Sequence, residues 1–402
     1  MYNQSTLRQV FCLDGMLLDR CEPSDDRIDL YVRSPRTCAR CPHCGISTGK
    51  AHRSAQRTIK HMLCDGKVAY LKLTVRNFRC RACPHVFREP IPGIDRRRTS
   101  LHFRQFVLPK IRDRSFCSVA REHGLSASSL IRSAAGCARE IGVQWPQASF
   151  AMGIDEHSFS GRDLVITITD ITHHRLLAIL PNDRKATLEH FLETMPNTAK
   201  KRITAICIDM NSGYLDAARN SLSDAPVVID KFHVIQYFNI QLEQLRQLYT
   251  TSRYPLPKKL LERSKEDLGR EDQRRLDVMF RAYPVIEDMW RLKEWFRALY
   301  RLTSMAQARR RYDAVLAGLS HETRPRWQVV HRTLKRWQEH ILNYFDHRIT
   351  NAYTEGVHTR IKLLKRISYD FRNKQNYIAK MTLAFLPLTV LLDHLYSSPS
   401  LV

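Results

Sequence analysis

Two aspartates and one glutamate are the residues of this sequence whose positions could together support catalysis. We expect Asp155, in the run GIDE, to end a first strand, with Gly153 leaving room beside it. Asp209 ends ITAICID, a run so apolar that it predicts a strand buried on both faces. A carboxylate at the end of such a strand is costly unless it is paired, solvated or bound to a metal.

The third acid, Glu355, lies in NAYTEGVHTRIKLLKR, whose pattern predicts a helix. At 100° per residue, one side of this helix carries Asn351, Glu355, Thr359, Lys362 and Arg366. The opposite side carries Val357, Ile361 and Leu364. We expect the apolar side to pack on the flank of a sheet, with Lys362 and Arg366 contacting phosphates. Taken alone, a glutamate such as Glu355 is more often just an exposed helix residue.

Carboxylates that converge in this way suit Mg²⁺ or Mn²⁺, which prefer oxygen ligands. A pair of such ions about 3.5–4 Å apart activates an attacking oxygen and stabilises a leaving one in phosphoryl transfer. The sequence therefore predicts that Asp155, Asp209 and Glu355 bind two ions. It has no Walker loop, GxSxG elbow or HExxH run, so ATPase, serine hydrolase and zincin functions lack support, and no nucleotide cofactor is expected.

Paired cysteines predict a second, structural metal site near the start of the chain. Cys41-x-x-Cys44 and Cys80-x-x-Cys83 are two knuckles that can complete a tetrahedral Zn²⁺ site with no open position for water. Two alternatives stay open: Cys38 can form a knuckle with Cys41, and His85 can replace a thiol. We prefer the four named thiols because CPHCG has the better turn residues.

A segment after the cysteines has the spacing of a helix-turn-helix. In SFCSVAREHGLSASSLIRSA, a small residue, a turn glycine and an apolar residue stand at Ala120, Gly124 and Leu130. We expect the second helix to start near Ser126. The residues predicted to face the major groove are Ser128, Ser129 and Arg132. An ordinary helical hairpin is the alternative.

The remaining patterns place these residues on structural elements. Val68 to Phe78 alternates apolar with basic residues and predicts a strand, and Pro90, Pro92 and Gly93 before Arg96–Arg98 predict a hinge. Beyond residue 148, strand-like runs alternate with helical stretches at 186–195 and 211–222, which indicates an α/β domain. Residues 231 to about 345 are helical in pattern and carry most of the tryptophans.

The net charge indicates a polyanionic partner. The 402 residues include 65 Lys and Arg against 40 Asp and Glu, a formal charge of +25. Residues 51–150 alone hold 19 basic and 6 acidic residues, although a solvated surface could account for part of that excess.

There is no signal-peptide core, and Pro387 interrupts the longest apolar run. We therefore expect a cytoplasmic protein with reduced cysteines and no membrane partner.

Together these motifs resemble those of the ISL-three family of insertion-sequence transposases. The shared runs are CPHCG, VRNFRCRACPHVF, GIDEHSF, LLAILPNDR, IDMN, IDKFHV and NAYTEGVHTRIKLLKRISYDFRN, in the family's order from about residue 38 to 385. The resemblance implies a multidomain α+β protein: a zinc-binding module, a helix-turn-helix, and an RNase H-like α/β catalytic domain interrupted by an α-helical insertion. The resemblance implies that Asp155, Asp209 and Glu355 form a DDE triad and that Asp230 and His233 support the site. His233 could instead merely cap or pack.

On this basis we expect five segments. They are a zinc-binding domain (1–92), a helix-turn-helix domain (93–147), a first catalytic part (148–235), an α-helical insertion (236–345), and the closing catalytic helix with a C-terminal tail (346–402).

The expected function is that of a nucleoid-associated bacterial DNA transposase, which binds terminal inverted repeats, cleaves DNA and transfers strands to target DNA. It is expected to act as a homo-oligomer, because two ends must be synapsed. The alternatives are a domesticated transposase that only regulates by binding DNA, and a metal-dependent nuclease.

Overall fold

A computed structural model of the chain describes residues 4–250 and 256–397. These residues form two compact units. The first comprises residues 4–142 and 364–397, and the second comprises residues 143–363. No helix in the described part of the chain is by itself long and apolar enough to cross a membrane.

The first unit opens with one helix and a five-stranded sheet. These elements are α1 (Gln4–Val10), β1 (Leu17–Pro23), β2 (Arg27–Arg33), β3 (Ala39–Arg40), β4 (Ser47–Thr48), β5 (Ala51–Cys64), β6 (Lys67–Arg79) and β7 (Val86–Arg88). The sheet order is β1-β2-β6-β5 with β7 also on β6, while β3 and β4 form a separate hairpin. Burial alternates along β6, where Leu71, Leu73 and Val75 enter the core, as the sequence predicted.

Three helices and a short 3₁₀ segment follow the sheet. They are α2 (Leu101–Val107), the 3₁₀ helix Leu108–Ile111, α3 (Phe116–Glu122) and α4 (Ala127–Ile141). Serine hydroxyls accept hydrogen bonds from the first-turn amides of α2, α3 and α4, which fixes where each helix begins. The segment before α2, which we predicted to be a hinge, is instead tied back by main-chain bonds: Leu101 N donates to Gly93 O over 2.8 Å.

The second unit is built on a five-stranded mixed sheet. Its first elements are β8 (Phe150–Ser160), β9 (Asp163–Asp170), β10 (Arg175–Leu180), α5 (Lys185–Glu193), α6 (Asn197–Lys200), β11 (Ile203–Ile208), α7 (Ser212–Ser221) and β12 (Val227–Ile229). The order is β10-β9-β8-β11-β12; β8, β9 and β10 are antiparallel, whereas β8, β11 and β12 are parallel. All the strands predicted in this region are present.

A run of helices then continues the unit. They are α8 (Lys231–Tyr249), α9 (Lys258–Glu262), the 3₁₀ helix Lys265–Asp267, α10 (Arg270–Ala282), α11 (Pro284–Leu299), α12 (Met305–Ser320), α13 (Pro325–Leu342), α14 (Tyr344–His347) and α15 (Ala352–Ile367). Trp290, Trp327 and Trp337 are buried in the core that these helices share with the sheet. The tryptophans therefore stabilise the unit.

The last two helices correct the predicted domain boundary. Helices α16 (Lys374–Phe385) and α17 (Leu388–Ser397) meet at a 106° bend and belong to the first unit. Leu383, Leu391 and Leu395 share one core with Phe103 and Leu130. The prediction placed 346–402 wholly in the catalytic domain, but the apolar faces of α16 and α17 are buried against α2 and α4, which leaves only the start of α15 with the second sheet.

Candidate active site

Asp155 and Asp209 lie side by side because of the register between two parallel strands. In the last residue pair between β8 and β11, Gly153 lies opposite Cys207. Two positions further along the chain from each of these residues stands an aspartate, Asp155 or Asp209. Our expectation that Asp155 ends its strand was wrong: β8 runs on to Ser160, because it continues to pair with β9 after its pairing with β11 has stopped. The carboxylate is nonetheless at the edge where the parallel pairing ends.

Asp230 occupies the corresponding position on the next strand. Its amide donates to the carbonyl of Ile208 over 3.0 Å, and its side chain accepts from Phe232 N over 3.2 Å. Asp230 is therefore the N-cap of α8 and is fully buried. His233, in the first turn of α8, has Nδ1 2.8 Å from Oδ1 of Asp209 and 3.5 Å from Oδ2 of Asp230. The helix start thus brings an imidazole to the two carboxylates.

The electrostatics of this cluster reflect burial and like charge. Burial, followed by the negative charge of Asp209, raises the pKa of Asp155 to about 7. Burial alone would lower the pKa of His233, but the carboxylates of Asp209 and Asp230 outweigh it and raise the pKa to about 10. The side chains therefore form a compact acidic group with a single compensating cation close to it.

The donor set fits a divalent cation. One ligand atom each from Asp155, Asp209 and His233 lies within 4.8 Å of the others. Among the described residues, Asp209 Oδ1 and Asp230 Oδ2 are buried without a hydrogen bond, since the nearby imidazole is not aligned to donate to them. A cation bound between Asp155 and Asp209 would compensate the charges that this arrangement places together.

The start of α15 packs directly over Gly153. A Cβ added to Gly153 would lie 2.5 Å from Thr169 Oγ1, and 2.8 Å from both Asn351 Oδ1 and Thr354 Oγ1. Asn351 Nδ2 donates to the carbonyl of Ile154 over 3.1 Å. The absence of a side chain at position 153 is therefore what lets the helix approach the strand that carries Asp155.

A buried row of polar side chains, which we call the polar seam (Thr167, Thr169, Thr354 and His358), joins α15 to β9. The hydroxyls of Thr169 and Thr354 are 2.7 Å apart, and His358 Nε2 is 3.1 Å from the hydroxyl of Thr167. His358 Nδ1 is also 3.7 Å from Oδ2 of Asp155, and burial lowers the pKa of His358 to about 4. Sequence reasoning missed these contacts; the only signal was the run of alternating threonines in DLVITITD.

Glu355 is exposed and is not part of the cluster formed by Asp155, Asp209 and His233. It lies one turn after Asn351, to whose carbonyl its amide donates over 2.9 Å. Lys362 and Arg366 are exposed, while Val357, Ile361 and Leu364 are buried, which is the two-sided pattern that the helical wheel predicted. The structure thus anchors the helix near Asp155 and leaves the Glu355 carboxylate accessible.

The first unit holds a separate cluster of four thiols, Cys41, Cys44, Cys80 and Cys83. Their Sγ atoms are 3.7 Å (41 to 83), 3.4 Å (44 to 80) and 3.6 Å (83 to 44) apart. A tetrahedral ion with metal–sulfur bonds of about 2.3 Å requires sulfur atoms about 3.8 Å apart, so the cluster fits zinc. The amide of Ala82 donates to Cys80 and lowers the pKa of that thiol to about 6.

Nearby residues that we had considered as alternative ligands lie elsewhere. Cys38 is exposed and is not a member of the four-thiol cluster. His85 is exposed and stacks on His43, with ring centroids 6.0 Å apart. The geometry therefore favours four sulfur ligands.

Helices α3 and α4 have the local form of the predicted helix pair. Ala120 and Leu130 are buried, Gly124 has φ 55° in the turn, and Ser126 caps α4 by accepting from Ser129 N over 3.2 Å. Ser128 and Arg132 are exposed on α4, whereas Ser129 is half-buried. The first turns of α4 thus offer hydroxyl and guanidinium donors to a ligand.

Comparison with known proteins identifies relatives over nearly the whole chain. A family model described as a transposase, of the DDE type and the ISL-three group, matches residues 152–381, more than half of the chain. A second model, described as a zinc-finger of transposase IS204/IS1001/IS1096/IS1165, matches residues 38–83. The chain is 22% identical over 393 residues to the transposase for insertion sequence element IS1001 of Bordetella parapertussis, covering 92% of this chain and 95% of that one. It is 24% identical to the transposase for insertion sequence element IS1557 of Mycobacterium tuberculosis, covering 57% and 58% of the two chains.

Proposed function

Because the chain belongs to the ISL-three family of insertion-sequence transposases, we propose that it binds the terminal inverted repeats of an element, cleaves DNA there and joins the ends to target DNA. The observation that carries this proposal is the juxtaposition of Asp155 and Asp209 at the edge of a sheet, with the helix that bears Glu355 packed over Gly153. Carboxylates in that setting are suited to metal-dependent phosphoryl transfer.

The catalytic domain is of the RNase H-like type in this proposal. Supporting it, the first three strands of the second unit's sheet (β8, β9 and β10) are antiparallel, and the other two (β11 and β12) are parallel to β8. The sheet order is β10-β9-β8-β11-β12. The helices α8 to α14 are the insertion between the second and third acids of the DDE triad. Asp155, Asp209 and Asp230 lie at the edge where the pairing of the neighbouring parallel strands ends, which concentrates negative charge there.

Asp155, Asp209 and Glu355 would hold two Mg²⁺ or Mn²⁺ ions, and such a pair would supply Lewis-acid activation of the attacking oxygen and stabilisation of the leaving oxygen. Water attacks a phosphate at the element's end and breaks its P–O3′ bond, which leaves a 3′-hydroxyl and a 5′-phosphate. The 3′-hydroxyl then attacks a target phosphate in line, loses its proton and displaces the 3′-oxygen of the target strand, which leaves as a 3′-hydroxyl. Asp230 and His233 support the site: the capped start of α8 places the imidazole against Asp209, and its charge compensates the carboxylates. Lys362 and Arg366, exposed on the helix of Glu355, contact phosphates beside the reacting bond.

DNA binding is assigned to the first unit. Zinc in the four-thiol cluster stabilises the N-terminal module, and α4 enters the major groove with Ser128, Ser129 and Arg132. The excess of positive charge at residues 51–150 supplies salt-sensitive affinity for phosphates. Two copies or more assemble when the two ends of an element are synapsed on the bacterial nucleoid.

The decisive experiment incubates the protein and Mg²⁺ with DNA that flanks its reading frame and with a target plasmid. We expect nicks at the element's ends followed by joined products. Cleavage without joining would make the protein a nuclease, and binding without cleavage would make it a DNA-binding regulator. Asp155→Asn keeps the shape but loses the charge, so activity equal to that of the wild type would refute the proposed metal site.

A further inference from the structure

The three consecutive arginines Arg96–Arg98, here called the arginine loop, are exposed in the first unit. They follow Asp95, whose Oδ1 accepts from the amide of Arg97 over 2.8 Å. Arg97 Nη1 also lies 3.7 Å from Asp95 Oδ2. The segment from Asp95 to Arg98 therefore has three guanidinium groups and one carboxylate, and its net charge is positive. The proposed function counts these arginines only within the general charge of residues 51–150 and gives them no specific contact.

Arg57 on β5 holds the main chain of this loop. Its Nη1 donates to Asp95 O over 2.6 Å, and its Nη2 donates to the carbonyls of Arg96 over 3.1 Å and Arg97 over 2.5 Å. One guanidinium therefore binds three successive carbonyls and turns the following side chains outward. Since the guanidinium of Arg57 is engaged in this way, its role is to order the loop.

Lys60, also on β5, connects the loop to the turn between α3 and α4. Its amide donates to Arg98 O over 2.9 Å, while its Nζ donates to the carbonyls of His123 and, over 3.3 Å, Gly124. Lys60 is 8% exposed, so its main chain and its buried side chain together join the loop to the turn. A Cβ at Gly124 would lie 2.7 Å from Nζ, which shows how closely the lysine occupies the turn.

We propose that the arginine loop binds phosphates of duplex DNA and that Arg57 and Lys60 fix it beside the start of α4, so that loop and helix grip one duplex together. The inference rests on the proposed function, since it names a surface for the DNA that the protein acts on. The loop supplies affinity that does not depend on sequence, and α4 supplies contacts to base edges. An ordered loop loses less conformational entropy on binding than a mobile one, which favours affinity.

The chain contains a matched control for charge. Arg309, Arg310 and Arg311 are three consecutive exposed arginines on α12, in the second unit. We would compare the triple alanine variant of 96–98 with the triple alanine variant of 309–311, using full-length protein and a labelled mixed-sequence DNA duplex. Both variants lose the same formal charge, so general electrostatic attraction changes equally in the two.

For the variant of 96–98 we expect the slope of log K against log salt to fall by about 0.9 per phosphate contact, or about 2.7 for three contacts. Between 50 and 200 mM salt, wild-type affinity should therefore drop about 40-fold more than that of the variant. The variant of 309–311 should keep a slope close to the wild-type value. Equal changes in both triple variants, or no change in that of 96–98, would overturn the inference.

A second pair of variants tests the order of the loop without changing charge. Arg57→Lys cannot donate to three carbonyls, so we expect weaker DNA binding with unchanged zinc content and circular dichroism; Arg53→Lys, on the same strand, should bind as the wild type does. Equal affinity of Arg57→Lys and wild type would overturn the role of Arg57.

If the wild type binds and joins DNA while the variants of 96–98 and of Arg57 behave normally, only this inference fails. If the wild type binds no duplex DNA at any salt concentration, the proposed function fails as well.

Discussion

The side chain of Asn351 donates a hydrogen bond to the carbonyl of Ile154, the residue immediately before Asp155. The residue immediately before α15 is therefore attached to the strand that carries Asp155, and Glu355 follows one turn later. Because Gly153 leaves the space for this contact, the separation between the two ends of the candidate site depends on a residue that carries no functional group.

We predict that Gly153→Ala displaces α15 and impairs cleavage. The new Cβ would lie 2.5 Å from Thr169 Oγ1, so the strand or the helix must shift, at a cost of about 1–3 kcal/mol. A displacement of about 1 Å lowers the rate of a positioned reaction by about 10²-fold. Thermal unfolding and single-turnover cleavage of flanking DNA would measure both effects.

Gly318→Ala is the matched control, because nothing lies within 4 Å of a Cβ at that position in α12. It should raise stability by about 0.5–1 kcal/mol through helix propensity alone. If Gly153→Ala were as stable and active as Gly318→Ala, the close approach of α15 would not matter.

The polar seam predicts strong coupling between two threonines. Thr354→Val should cost about 1–3 kcal/mol, because the fully buried hydroxyl of Thr169 loses its partner. Thr169→Val should have a similar cost, whereas the double variant should be more stable than the sum of the two costs implies. Urea unfolding of the four proteins gives the coupling energy, and additive costs would contradict a direct bond.

We predict that the four-thiol cluster carries the zinc of this protein. Cys80→Ser should abolish stoichiometric zinc and destabilise the N-terminal module, because three thiolates cannot close the tetrahedral site. Cys38→Ser, in an exposed residue outside the cluster, should retain full zinc content. Metal analysis of the purified proteins decides between them, and zinc loss in both variants would reassign Cys38 as a ligand.

A buried histidine predicts how the first unit responds to acid. His61 Nε2 is 2.6 Å from the carbonyl of Phe11, Nδ1 is 2.9 Å from the hydroxyl of Ser100, and burial lowers the pKa of His61 to about 4. Since the ordinary pKa is about 6.5, stability is fully present above pH 6.5 and is lost progressively as the pH falls to 4. A shift of that size corresponds to a loss of about 3 kcal/mol.

Hydrogen exchange of peptides from β5 and β6, corrected for intrinsic rates, would follow this loss between pH 7 and 4. His61→Gln has no proton to gain and should show a flatter profile over the same range. Thiol protonation contributes equally to both proteins, so the difference between the two profiles isolates His61. Parallel profiles would show that His61 does not control the acid response.

Local sequence patterns predicted the strands and helices of this fold more fully than they predicted the contacts between those elements. The alternation around Leu71 and the apolar run before Asp209 gave the correct strands, and the spacing around Gly124 gave the correct pair of helices. Each of these signals lies within about one element, where the periodicity of burial determines the pattern.

Contacts between distant parts of the chain had no such signal. The Thr169–Thr354 bond joins residues 185 positions apart, and nothing in either local pattern indicates that they meet. The sequence does not distinguish Lys60 from the many other basic residues, although its side chain contacts the turn at Gly124. The sequence excluded the apolar run of α16 and α17 as a membrane span, but nothing in it indicates which core these helices join.

The packing of α16 and α17 against α2 and α4 has a consequence for biosynthesis. Gln105 donates to the carbonyl of Leu395, which the ribosome adds 290 residues later. At about 5–20 residues per second, α2 therefore waits about 15–60 s for the leucines that complete the core it shares with α4. A nascent or prematurely terminated chain has an unfinished first unit during this interval, so only polypeptides translated through residue 395 can complete it.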